Sequence, residues 1–85
     1  MQIVFLPEAN KELNFWVKTG NKSILKKITQ LLAAIISDPF KGIGKPEQLK
    51  HQLSHCWSRR INSEHRIVYE VLQDRILIHS VKGHY

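Results

Sequence analysis

Cysteine occurs once in these 85 residues, at Cys56. One thiol cannot close an internal disulfide, and its scarcity suits a reducing cytoplasm. Long hydrophobic runs are missing too: none approaches the roughly 20 apolar residues that span a bilayer. The opening Met1-Gln2-Ile3-Val4-Phe5-Leu6-Pro7 has no basic segment and too short an apolar stretch for a signal peptide. The chain therefore reads as cytoplasmic, with no membrane partner. Acidic residues are few, seven against thirteen Lys and Arg, which leaves a net charge of +6 with histidine neutral. That excess points to an anionic partner, nucleic acid first and an acidic protein second. P-loop, G-x-G-x-x-G and Ser/His/Asp patterns are absent, since Gly42-Ile43-Gly44 runs on to Gln48-Leu49 with no third glycine.

What is present suffices for one domain, residues 1–85. A chain this short hides only roughly 60–65% of its unfolded surface, so its chemistry belongs in a surface groove. Residues 1–6 are a short apolar run rich in β-formers and read as a buried strand. Pro7-Glu8 starts a helix whose apolar stripe is Ala9, Leu13, Trp16 and Val17, and Thr19-Gly20-Asn21 breaks it. Ile24, Leu25, Ile28, Leu31, Leu32, Ile35 and Ile36 then repeat at helical spacing, with Lys22, Lys26, Lys27 and Gln30 on the other face. Asp38-Pro39 stops this second helix, and the short break makes the two helices an antiparallel hairpin.

From Phe40 the character changes. Lys41-Gly42-Ile43-Gly44-Lys45-Pro46 is a loop, and residues 55–62, 65–73 and 75–82 read as a meander of three antiparallel strands. The predicted architecture is α+β, in the order β-α-α-β-β-β: a helical hairpin packed on a small, mostly antiparallel four-stranded sheet. Residues 1–40 carry five Lys and three acids, and residues 41–85 carry eight Lys and Arg, four acids and all five histidines. The sheet half reads as the working half.

Four groups of residues could carry chemistry. Glu47, beside Pro46 and between Lys45 and Lys50, is a candidate general base, although nearby lysines also lower a carboxylate's pKa; the plain alternative is a solvated loop glutamate. In Trp57-Ser58-Arg59-Arg60-Ile61, period-two alternation puts Trp57, Arg59 and Ile61 on one face. Trp57 and Ile61 read as core, Arg59 as snorkelling at the apolar edge, and Arg60 as projecting from the open face. Arg66 shares that open face from the next strand, so the two arginines form a fork suited to phosphate oxygens unless both are merely solvated. The ending Lys82-Gly83-His84-Tyr85 supplies an imidazole that titrates near neutrality and a phenol that can stack on a base; the alternative is a fortuitous tail. His51, His55, Cys56 and His65 are metal-ligand types in one stretch of chain. An i, i+4 pair meets only on a helix, this region reads as extended, and Cys56 reads as core, so no metal is expected. His79, in an apolar strand, reads as a satisfied half-buried histidine.

Together these residues resemble the RelE/ParE superfamily of small bacterial toxins, specifically its YoeB (Txe/YoeB) branch, over essentially the whole chain. The most specific stretches are Pro39-Phe40-Lys41-Gly42-Ile43-Gly44-Lys45-Pro46-Glu47, Leu49-Lys50-His51, Trp57-Ser58-Arg59-Arg60-Ile61, Glu64-His65-Arg66-Ile67-Val68-Tyr69 and His84-Tyr85. Two mild departures bear on substrate preference: Gln48 stands where a second proline often follows the glutamate, and Lys82-Gly83 varies before the ending. The resemblance implies a toxin of a type II toxin-antitoxin system, a ribosome-dependent endoribonuclease that cuts mRNA in the decoding site. It implies functional roles for Glu47, Lys50, Arg60, Arg66, His84 and Tyr85. Its partners would be mRNA on the small-subunit rRNA and an acidic YefM/Phd-like antitoxin, and it leaves room for a homodimer.

The chemistry of the residues agrees. Cleavage without cofactor or metal uses the ribose 2′-OH against its own 3′-phosphate, with Glu47 as base, His84 as acid, Arg66, Lys50 and Arg60 on the phosphate, and Tyr85 orienting a nucleotide. Two other classes fit more loosely. A ParE-like gyrase inhibitor would not need Glu47, His84 and Tyr85 together, and a non-catalytic RNA-binding module rests on charge and exposed arginines alone.

Overall fold

Local punctuation sets the helices. Pro7 opens α1 (Pro7–Lys18) at its first position, where the missing N–H has no helical partner to lose, and Glu8 stands in the first turn. Asn21 caps α2 (Lys22–Ser37), its side chain accepting the Ile24 N–H at 3.1 Å. The computed structural model describes residues 1–83, so the expectations for His84 and Tyr85 lie outside the described residues. No helix among those described is long and apolar enough to cross a membrane.

The strands are β1 (Gln2–Phe5), β2 (Glu47–Gln48), β3 (Cys56–Arg60), β4 (Arg66–Val71) and β5 (Arg75–Ser80), with a 3-10 turn over His51–Leu53. They lie in the order β1-β5-β4-β3-β2. β1 pairs with β5 in parallel and the other neighbours are antiparallel. The α+β class, the helical hairpin and the meander are as expected. The sheet, however, has five strands rather than four. β2 has two residues, both exposed, and no apolar alternation to announce it. It exists because β3 offers a free edge: Glu47 and Gln48 pair with Ser58 and Trp57, the Leu49 N–H donates to the Cys56 carbonyl at 3.0 Å, and the Arg60 N–H donates to Gly44 at 2.7 Å.

The core lies between the hairpin and one sheet face. Ala9 and Trp16 of α1 and Ile24, Ile28, Leu31 and Ile35 of α2 pack on Ile67, Tyr69, Ile76 and Ile78, each large side chain contributing about 1.5–3 kcal/mol. Val17 and Ile36, expected in the apolar stripes, are exposed at the margins of their helices. α1 also grips the end of β5 through polar groups. The Trp16 indole N–H donates to the Val81 carbonyl at 3.0 Å, and the Glu12 carboxylate accepts from the Val81 N–H at 2.8 Å and the Ser80 hydroxyl at 3.1 Å.

One glycine is required where the loop meets this core. Gly44 has φ +84°, and a Cβ there would stand 2.8 Å from Leu31 Cδ2 and 3.0 Å from Arg59 Cβ. Gly44→Ala is expected to cost about 2 kcal/mol, from left-handed backbone and overpacking together. Gly20, at φ +66° with nothing within 4 Å of such a Cβ, isolates the backbone part. Urea midpoints of the two alanine variants check this, and equal shifts would mean that Leu31 yields without cost.

Candidate functional site

Strand register assembles the site. Cys56, Ser58 and Arg60 of β3 face Glu70, Val68 and Arg66 of β4, while Trp57 and Ile61 pack with the core on the helix side. Alternation therefore turns Cys56, Ser58 and Arg60 away from the helices. β2 adds Glu47 opposite Ser58, diagonal to Arg60 at a Cα separation of roughly 7–8 Å. Arg60 and Arg66 share this face as expected, and Glu47 joins them. The face is not bare: Cys56, Ser58 and Val68 are buried on it, whereas Glu47, Lys50 and Arg60 are exposed and Arg66 is partly so. Small side chains form its floor and long polar ones its rim.

The electrostatics of that rim favour an anion. Like charges directly opposite across two strands repel, and neither Arg60 nor Arg66 has a carboxylate partner among the described residues. An anion between them would relieve the repulsion and accept donors from both guanidinium groups. Glu47 and Lys50 line a hollow of about 270 Å³ together with Gln48, Leu49 and Leu53. The backbone on either side of Glu47 is held in left-handed conformations at Lys45 (φ 53°) and His51 (φ 60°). Such residues cost on the order of 1–3 kcal/mol each and persist where the surroundings hold them.

The C-terminal segment is delivered to the same place. The Arg66 N–H donates to the Gly83 carbonyl at 2.8 Å, and the Gly83 N–H donates to His65 Nδ1 at 2.9 Å. The His65 ring packs edge-on against Trp16, centroids 4.8 Å apart. The chain is thus fixed beside Arg66 at the residue before His84-Tyr85.

Arg59 overturns its expectation. Its side chain is fully buried rather than snorkelling. Nε donates to the Tyr69 hydroxyl at 3.0 Å, Nη1 to the Ile43 carbonyl at 3.1 Å, and Nη2 to the carbonyls of Asp38 at 2.6 Å and Lys41 at 3.0 Å. The Tyr69 hydroxyl donates in turn to the Pro39 carbonyl at 2.6 Å. Burial pushes the Tyr69 phenol above its ordinary pKa while Arg59 pulls the other way, so it stays a neutral donor. The loop before Gly44 turns its carbonyls inward, and the guanidinium finds its oxygens there instead of in water. Only its place between Trp57 and Ile61 on the apolar face signalled this in the sequence.

The four candidate metal ligands His51, His55, Cys56 and His65 do not come together as a set. His65 is occupied with Gly83, and His55 and Cys56 meet Glu70 and His79 instead. His79 is half-buried and satisfied, as expected, its Nε2 lying 2.9 Å from Glu70 Oε1.

Known proteins share this sequence and arrangement. Residues 5–85 match the family described as YoeB-like toxin of bacterial type II toxin-antitoxin system. A Toxin YoeB of Synechocystis sp. is 54% identical over 70 residues, 82% of this chain and 81% of its own. A YoeB/ParE toxin from Agrobacterium tumefaciens superposes over the whole of both chains with a TM-score of 0.95 and 36% identity. YoeB of Staphylococcus aureus, 43% identical over 100% of this chain and 98% of that one, has been solved as a dimer, TM-score 0.91, and in a heterotetrameric complex with YefM, TM-score 0.89.

Proposed function

This chain belongs to the YoeB-like toxins of bacterial type II toxin-antitoxin systems, and from that premise we propose that it is a ribosome-dependent endoribonuclease acting on mRNA in the decoding site. The observation that carries the reading is the register that sets Glu47 on the same sheet face as the Arg60–Arg66 pair. From β2 to β4 is two strand spacings, roughly 10 Å, close enough for side chains reaching inward from both strands to meet one ribose and its adjacent 3′-phosphate. Glu47 takes the proton of the 2′-OH, which attacks the adjacent phosphorus. Arg66, with Arg60 and Lys50, offsets the charge that grows on the phosphorane oxygens. His84 gives a proton to the departing 5′-oxygen, and Tyr85 orients or stacks on a nucleotide. The products are a 2′,3′-cyclic or 3′-phosphate and a 5′-hydroxyl, and no step draws on a cofactor.

A shallow face on a domain this small does not by itself align flexible RNA, so small-subunit rRNA completes the site. That places the work in the cytoplasm, on translating ribosomes. The inhibitor is an antitoxin, as YefM is for the S. aureus relative, and the basic surface here calls for an acidic one. It covers the basic half of the chain, where opposite charge speeds association. The dimer of that relative makes a homodimer the second assembly to look for.

Adding the protein to a translation reaction and mapping mRNA 5′ ends tests the reading. New 5′-hydroxyl ends are expected at decoding-site codons of ribosome-bound mRNA, with naked RNA left mostly intact. Equal cutting of naked and bound mRNA would remove the ribosome from the mechanism. A salt-sensitive gel shift without any cutting would leave a non-catalytic RNA-binding module.

A further inference from the structure

Cys56 and Glu70 stand opposite each other across β3 and β4. His79 reaches them from β5, where the register shift opposite Val68 and Tyr69 leaves it without a pairing partner between Ile78 and Ser80. It lies diagonal to Glu70, with Nε2 2.9 Å from Oε1. His55 adds a second imidazole from the residue before β3, the two rings meeting edge-on with centroids 6.1 Å apart. One donor atom from each of the four residues falls within 4.8 Å of every other.

We propose that His55, Cys56, Glu70 and His79 form a Zn2+ site that clips β3, β4 and β5 together. The donor set is one thiolate, two imidazoles and one carboxylate, which suits tetrahedral zinc. Zinc–ligand bonds of about 2.0–2.3 Å place tetrahedral donor atoms about 3.3–3.8 Å apart, so the cluster needs to draw in by about 1 Å. The exposed His55 side chain is free to supply that movement. Charge balances once the metal is bound. Zn2+ with two anions and two neutral imidazoles is a neutral assembly, and the remaining excess of cationic side chains lies elsewhere. Access runs from outside in: His55 is exposed, Glu70 and His79 are partly exposed, and the thiol forms the floor. On binding, Cys56 releases its proton to solvent and His79 Nε2 exchanges Glu70 for the metal. The clip lies at the other end of the same sheet face, and none of its ligands is assigned a part in the cleavage reaction.

The full chain, stripped of metal with a chelator, is titrated with Co2+ and then with Zn2+. One equivalent of Co2+ is expected to give a thiolate charge-transfer band with tetrahedral ligand-field absorption, both displaced by Zn2+. His55→Ala, an exposed change that leaves the core untouched, is expected to weaken Zn2+ binding about tenfold or more. Cys56→Ser is expected to abolish the charge-transfer band. If that buried substitution loosens the fold, Glu70→Gln with its unchanged shape carries the test and is expected to weaken binding as His55→Ala does. Absence of the band in the unaltered protein overturns the proposal, as does a band that His55→Ala and Glu70→Gln both leave unchanged. Binding lost on removing His84 rather than His55 overturns it too.

Discussion

Replacing Arg59 by methionine is expected to lower the unfolding free energy by about 3–5 kcal/mol and to impair the site as well. The substitution keeps an apolar stem and removes the fork, leaving the carbonyls of Asp38, Lys41 and Ile43 without donors. Two effects oppose each other. Removing a buried charge that has no carboxylate partner among the described residues recovers its desolvation cost, whereas each orphaned oxygen costs about 1–3 kcal/mol. The oxygens win because there are three of them. They regain water only by turning outward, which releases the segment that runs through Gly44 to Glu47. Arg59→Lys is expected to recover less than half of the loss, since one ammonium cannot span positions fixed by a planar fork. Urea unfolding measures all three proteins, and a methionine variant within about 1 kcal/mol of the original would show that the guanidinium does not hold the loop.

Arg66→Ala is expected to reduce cleavage on programmed ribosomes by about 10²–10³-fold, the usual cost of removing one preorganised charge contact at a transition state. Its stability should barely move. Arg66 is partly exposed, and its loss relieves repulsion from Arg60, while the backbone bond to Gly83 uses its N–H rather than its side chain. Glu47→Gln, which removes the candidate base and keeps its shape, is expected to slow cleavage less than Arg66→Ala does. His84→Gln should lose most of the rate, since glutamine hydrogen-bonds but donates no proton to the leaving oxygen. Cleavage rates beside melting curves separate chemistry from folding. Wild-type cutting by Arg66→Ala would remove the cation pair from the mechanism.

Where the sequence was legible, a period announced the element. Seven apolar residues at helical spacing specify α2, and two-residue alternation places Arg60 and Arg66 on one face before any register is known. What it hid is non-local. β2 carries no pattern of its own and forms only against the edge of β3. Arg59 reads as an edge residue because its partners are loop carbonyls 16 to 21 positions away in the chain. The meeting of His55 and Cys56 with Glu70 and His79 depends on the pairing of three strands and on a register irregularity between Val68 and Tyr69. No spacing of ligands along one strand encodes it.

The parallel pairing of β1 with β5 has a consequence in time. Gln2 finds its register only opposite Arg75, so the first strand to leave a ribosome waits for the last one before it has a neighbour. Helices and hairpins close early because their contacts are local, while pairing across nearly the whole chain is slow. Until β5 emerges, then, the apolar face of α2 has no finished sheet to lie on, and Arg66 lacks the Gly83 segment beside it. A chain whose β5 has not yet emerged is not yet folded, however complete its helical hairpin. The topology makes the last strand synthesised the one that completes the sheet.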